Sequence, residues 1–106
     1  FHSQDKEYAL SFLEVAIKEG SIDALMMLVD AYLEGRVVEK DEKEAYALLL
    51  KHQDMNVPLI NYRIGYFYEK GIGVLSSYYK AGLFYEKAAD QGYEQAKSAL
   101  TELRGY

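Results

Sequence analysis

Few side chains in this 106-residue chain could do chemistry, and their spacing works against it. His2 and His52 are the only histidines and there is no cysteine, so thiol chemistry is excluded and an imidazole base has two candidates. No nucleophile elbow and no Gly-rich phosphate loop occurs. His52 and Asp54 are two residues apart, a spacing that puts them on different sides of a helix. Glu39, Asp41, Glu42 and Glu44 have the oxygens a hard cation needs, but carboxylates are equally favoured at a solvated helix start, where they meet the positive end of the dipole. The expectation is therefore a chain with no catalytic residue, no metal site and no cofactor.

The elements behind these residues explain the pattern better. Ala9, Ala45 and Ala81 share one phase of a 36-residue period that runs without insertion or deletion. Phe12, Leu48 and Phe84 share a second phase, and Leu28, Ile64 and Leu100 a third. Gly20, Asn56 and Gly92 share a fourth, while Tyr32/Tyr68, Gly35/Gly71 and Val38/Val74 pair across two copies. A fixed period of this length marks an array of supersecondary units, each too small to bury its apolar face alone.

Each period divides into two helical stretches. Apolar residues at Tyr8, Ala9, Phe12, Leu13, Ala16 and Ile17 follow one helical face, as do Ile22, Leu25, Leu28, Val29 and Tyr32. No segment alternates with a period of two, so the chain is predicted to be all helix, over about 6–19, 21–34, 42–55, 58–70, 78–91 and 93–104. Asp5, Asp41 and Ser77 share a phase suited to N-caps, and Asp41 with Glu44 makes a capping-box pattern. Pro58 opens a helix, where its missing N–H costs nothing. Asn56 holds the phase of Gly20 and Gly92 and is predicted to be left-handed, with Asn56→Gly neutral or slightly stabilising. His52 holds the phase of Ala16 and Ala88, so its ring must push two helices apart or find a hydrogen bond.

The stretch Gly71-Ile72-Gly73-Val74, then Lys80-Ala81, Phe84-Tyr85, Lys87-Ala88-Ala89 and Gln91-Gly92 resembles the Sel-one-like repeat (SLR), a relative of the tetratricopeptide repeat. Ala24, Leu28, Tyr32, Gly35 and Asp41 match its pattern in one copy, and Ile64-Gly65, Tyr68 and Gly71 in the next. Ser77, Phe84 and Arg104 depart from it, and the middle copy reads Lys51-His52-Gln53-Asp54-Met55-Asn56 in place of the usual KAA.QG. The resemblance implies a right-handed α/α superhelix of about three helix pairs, with residues 1–106 as one repeat domain and boundaries near 20, 35–41, 56, 71–77 and 92. It also implies a protein-binding adaptor or regulator, in a family of which many members are bacterial.

Composition agrees with that class. A net charge of −5 and three unclustered arginines (Arg36, Arg63 and Arg104) argue against nucleic acid. No apolar run is long enough for membrane insertion. The partner is thus expected to be another protein or peptide. In hairpins of this kind the first helix of each pair lines the concave face, which by resemblance means 21–34, 58–70 and 93–104. With Ala24, Leu28 and Tyr32 assigned to the core, the groove positions are Asp23, Met26 and Asp30, then Leu59, Tyr62 and Tyr66, then Gln95, Ser98 and Glu102. Tyr62 and Tyr66, four residues apart, would either form one aromatic strip flanked by acidic Asp23, Asp30 and Glu102 or pack between helices, and the sequence favours neither. An alternative class is an inhibitor or immunity-type protein that blocks a basic enzyme with this acidic, Tyr-rich surface. A hydrolase of cell-wall or lactam substrates is disfavoured by the missing nucleophile–base pair.

The chain opens on Phe1 rather than Met, as a processed or trimmed product would, and its first and last helices lack a pair. Phe12, Val15, Ala99 and Leu103 are then expected to face solvent or to join a second copy in self-association. The period also identifies Tyr68 as a core position. Truncation to Ala should cost about 3–5 kcal/mol, as for any large buried aromatic, and thermal denaturation of Tyr68→Ala checks it; an unchanged melting curve would refute the phase assignment.

Overall fold

The helix starts predicted at Asp41 and Ser77 and the ends predicted at Gly35 and Gly71 are present in the computed structural model, which describes residues 3–105. The helices are α1 (Ser3–Lys18), α2 (Ile22–Glu34), α3 (Glu42–Lys51), α4 (Pro58–Lys70), α5 (Tyr78–Asp90) and α6 (Glu94–Arg104), with a 3-10 turn at Gln53–Met55. No strand occurs among the described residues. Each helix packs on its neighbour in sequence, α4 against α5 most extensively, and the stack forms a helical solenoid with a long axis of 49 Å.

The two long connections close in the same way. The side chain of Asp41 accepts from the Glu44 N–H, and that of Ser77 from the Lys80 N–H, both at 3.1 Å. The Asp41 N–H donates to the Tyr32 carbonyl at 2.9 Å, and the Ser77 N–H to the Tyr68 carbonyl at 3.0 Å. The Asp41–Glu44 capping box is therefore only half made, because the loop itself takes the Asp41 N–H. Asp5 is not an N-cap: α1 begins at Ser3 and Asp5 lies in its first turn.

The middle junction also departs from expectation. The predicted 42–55 helix stops at Lys51, and the residues after His52 tighten into the 3-10 turn. His52 finds the hydrogen bond that its size demands, with Nδ1 2.9 Å from the Leu48 carbonyl. Asn56 is left-handed at φ 53°, as its phase predicted.

Close approach decides where glycine is required. A Cβ on Gly65 would lie 2.7 Å from the ring of Tyr85, so this glycine opens the space that the buried ring fills. A Cβ on Gly73 would lie 2.1 Å from the backbone oxygen of Glu42. Val37 occupies the same phase one repeat earlier and is held at φ 72°, a conformation that a β-branched residue adopts only under strain.

The larger core cluster contains Leu25, Val29, Leu49, Ile60, Phe67 and Tyr85, and a second gathers Leu13, Ala24, Leu28 and Ala31. Tyr68 belongs to the first, 8% exposed, stacked on Phe84 and edge-on to Tyr46. At the ends, Phe12 and Val15 face solvent as expected, whereas Ala99 and Leu103 are half-buried against the larger cluster. The correction follows from α5, which supplies a covering face for α6.

Buried Asn61 was not anticipated. Its Nδ2 donates to Asn56 Oδ1 at 3.1 Å and to Gln91 Oε1 at 3.0 Å, while Gln91 Nε2 donates to the Asn56 carbonyl at 2.6 Å. Asn56→Gly would keep the backbone and remove an acceptor, so the neutral effect expected from phase alone is revised to a loss of about 1 kcal/mol. Val37→Gly should instead gain about 1 kcal/mol, since relief of strain outweighs the extra freedom of glycine when unfolded. Melting temperatures that move the opposite way in either variant would contradict these assignments.

Candidate protein-binding face

The predicted groove residues fall on the three even-numbered helices, and their surroundings differ. On α2, Asp23 is exposed and Met26 half-buried against the core, while Asp30 is half-buried. On α4, Leu59 and Tyr62 are half-buried and Tyr66 is exposed. On α6, Gln95, Ser98 and Glu102 are all exposed.

Tyr62 and Tyr66 share a helix face but not an environment. The Tyr62 ring lies 5.7 Å from that of Tyr85 and 5.3 Å from that of Tyr93, wedging α4 against α5 and the start of α6. Tyr66 is 39% exposed, with Lys70 Nζ 5.8 Å from its ring centre. Tyr66 is thus the freer of the two rings, and Tyr62 spends much of its surface on packing.

Sequence reasoning missed Arg63, which touches two of the predicted residues. Its guanidinium pairs with Asp30 at 2.8 Å, approaches Met26 Sδ at 3.9 Å and lies 5.9 Å over the ring of Phe67. The signal was present: Arg63 stands four residues after Leu59 and three before Tyr66, on the same helical stripe. Arg63 ties α4 to α2 and answers the charge of Asp30, leaving Asp23 and Glu102 as the exposed carboxylates of the predicted set.

The residues first singled out for chemistry have structural surroundings. Asp41 caps α3, Glu39, Glu42 and Glu44 are exposed, and His52 bonds its own helix. Gly71 and Gly73 shape the α4–α5 loop at φ 70° and 68°. Among the described residues, no group of three or more His, Cys, Asp or Glu is placed to hold a metal ion; His2 lies outside them. No described helix is long and apolar enough to cross a membrane.

Helix pairs stacked in sequence and left-handed turns at a fixed phase define an α-solenoid repeat protein. The chain belongs to the Sel1 repeat family, whose model matches residues 2–21, 22–51 and 61–93. It is 33% identical over 103 residues to the chitin synthase regulator SKT5 of Saccharomyces cerevisiae, covering 95% of this chain and 14% of that protein. It is 30% identical over 101 residues to the activator of C kinase protein 1 of the same yeast, covering 91% of this chain and 16% of that protein. The chain thus spans well under a fifth of the length of these relatives. Among solved structures, a Sel1 repeat protein from Oxalobacter formigenes superimposes with a TM-score of 0.77 at 36% identity, over 88% of this chain and 70% of that one. A protective antigen of uropathogenic Escherichia coli strains shares the SLR fold, with a TM-score of 0.81 at 21% identity, over 99% of this chain and 22% of that one.

Two phenols, the buried one of Tyr85 and the half-buried one of Tyr46, give the core a dependence on pH. The Tyr85 hydroxyl donates to Glu69 Oε1 at 2.7 Å, and burial with that carboxylate pushes its pKa well above the ordinary 10.0. Burial and the 2.5 Å hydrogen bond to Tyr68 raise that of Tyr46 likewise. Unfolded phenols ionise near the ordinary value while the folded ones stay neutral. Their stabilisation is therefore complete below pH 10 and lost as pH rises above it. Denaturant titrations between neutral and strongly alkaline pH should show this decline, and Tyr85→Phe should flatten it.

Proposed function

We propose that the chain is a non-enzymatic protein–protein interaction module, an adaptor or regulator that holds a protein or peptide across α2, α4 and α6. The observation that carries this reading is the exposed Tyr66 at the centre of a stripe whose neighbouring helices are bridged, α2 to α4 by Arg63 and α4 to the start of α6 by Tyr62. Membership in the Sel1 repeat family supports it, as do relatives named as a regulator of chitin synthase and an activator of C kinase.

The contact set is Met26, Leu59, Tyr62 and Tyr66 as apolar and aromatic surface, with Asp23, Asp30, Gln95, Ser98 and Glu102 around it. Aromatic anchors contribute most when the polar groups around them exclude water. Because Arg63 already pairs with Asp30, steering of a charged partner falls to Asp23 and Glu102.

Cross-linking and mass spectrometry in the source organism would identify the partner, and titration calorimetry would then measure its affinity. Tyr66→Ala should weaken binding by about 1–3 kcal/mol with unchanged helicity, the loss of a contact rather than of the fold. Glu102→Lys should change mainly the association rate, more so at low salt. Wild-type affinity in Tyr66→Ala would reject this face. Tight one-to-one binding to a basic enzyme that abolishes its activity would favour the inhibitor reading instead.

A further inference from the structure

A second surface emerges from comparing the two junctions between successive odd-numbered helices, which the 36-residue period makes equivalent. Between α3 and α5 the junction is full. Tyr68 stacks on Phe84 with ring centres 5.9 Å apart and planes 20° apart, and its hydroxyl meets that of Tyr46 at 2.5 Å. One repeat earlier, Tyr46, Tyr68 and Phe84 become Leu10, Tyr32 and Leu48. One ring remains of three. Between α1 and α3 lies a cleft of about 490 Å³, floored by Leu28, Tyr32 and Leu48. The Tyr32 hydroxyl makes no hydrogen bond among the described residues, in contrast to its equivalent on Tyr68.

The rim of this cleft is charged in an ordered way. Lys18 and Lys51 are the last residues of α1 and α3, Glu14 stands one turn before Lys18, and Glu44 lies in the first turn of α3. Each lysine thus sits at the C-terminal end of its helix, with Glu14 about 6 Å from Lys18 along α1 and Glu44 about 10 Å from Lys51 along α3. None of the four forms an ion pair with another described residue, and all four are exposed.

We infer that the α1–α3 cleft is a binding site for a partner's tyrosine side chain, its ring stacked on Tyr32 and an adjacent acidic residue of the partner lying against Lys18 and Lys51. The occupant is read from the molecule itself. What the second junction has and the first lacks is a stacked ring and a second hydroxyl, and tyrosine is the residue that supplies both. Lys18 and Lys51, at the C-terminal ends of both helices, complement an acidic neighbour, and Glu44 disfavours one at the opposite end. This site is separate from the face across α2, α4 and α6, so either can fail without the other.

The test is an amide-shift titration of the whole chain with four probes: N-acetyl-tyrosinamide, N-acetyl-leucinamide and the acetylated dipeptide amides Tyr-Glu and Tyr-Lys. Tyrosinamide should give saturable shifts at Leu28, Tyr32, Leu48 and His52, and leucinamide should bind more weakly. Tyr-Glu should bind at least about threefold more tightly than Tyr-Lys, the size expected of exposed charge contacts. The variant L10Y/L48F, which copies the second junction into the first, should melt no lower than wild type and lose tyrosinamide binding. K18E/K51E, which leaves the core untouched, should reverse the dipeptide preference. Absence of saturable shifts at the cleft, equal binding of leucinamide, or an unchanged dipeptide preference in K18E/K51E would each overturn the proposal.

Discussion

Everything in this solenoid depends on how closely successive helices approach. A hairpin of two short helices cannot bury its own apolar face, so each must seat against the next. Ala45, Ala81, Ala88 and Ala96 are fully buried and let backbones come close where larger residues would hold them apart. Gly65 goes further, leaving room for the ring of Tyr85 to enter the α4–α5 contact. One repeat earlier the same pair is Val29 and Leu49, both fully buried. Volume lost on one helix is recovered on its partner, which is how a repeat can vary its residues and keep its spacing.

Loop closure is the second constraint, and it is backbone chemistry. Each long connection leaves a helix through a left-handed glycine and returns an N–H to the carbonyl of a tyrosine in the helix just finished. The bond aims the following helix back across its predecessor. Val37 shows how firmly the loop is held. A β-branched residue keeps the left-handed conformation there because the surrounding bonds determine it, at the expense of local strain.

The middle of the array buries a polar side chain, Asn61, where the repeat before it buries Leu25. Asn56, Asn61 and Gln91 join the α3–α4 turn to α4 and to the end of α5, satisfying amides that would otherwise be costly to bury. His52 and the shortened α3 belong to the same region, where the repeat departs from its pattern. Polar contacts at this junction and aromatic stacking beside it fill the space between α3 and α5, and the α1–α3 cleft lies at the equivalent place one repeat earlier.

Helix number, helix order, the caps at Asp41 and Ser77 and the left-handed Asn56 were legible in the sequence, because each follows from local spacing or backbone preference repeated at a fixed interval. The family was legible for the same reason, in the segment from Gly71 to Gly92. The early end of α3, the burial of Asn61 and the Arg63–Asp30 pair were not, since each needs a partner 30 or more residues away or a competition between neighbouring bonds. Tyr62 and Tyr66 make the difference plain. Their spacing placed both on one face, but only packing against Tyr85 and Tyr93 decided that the first is drawn into the structure and the second left exposed. Periodicity assigns a residue to a face of its helix; what meets it there is chosen by the volumes and polar groups of helices far away in the chain.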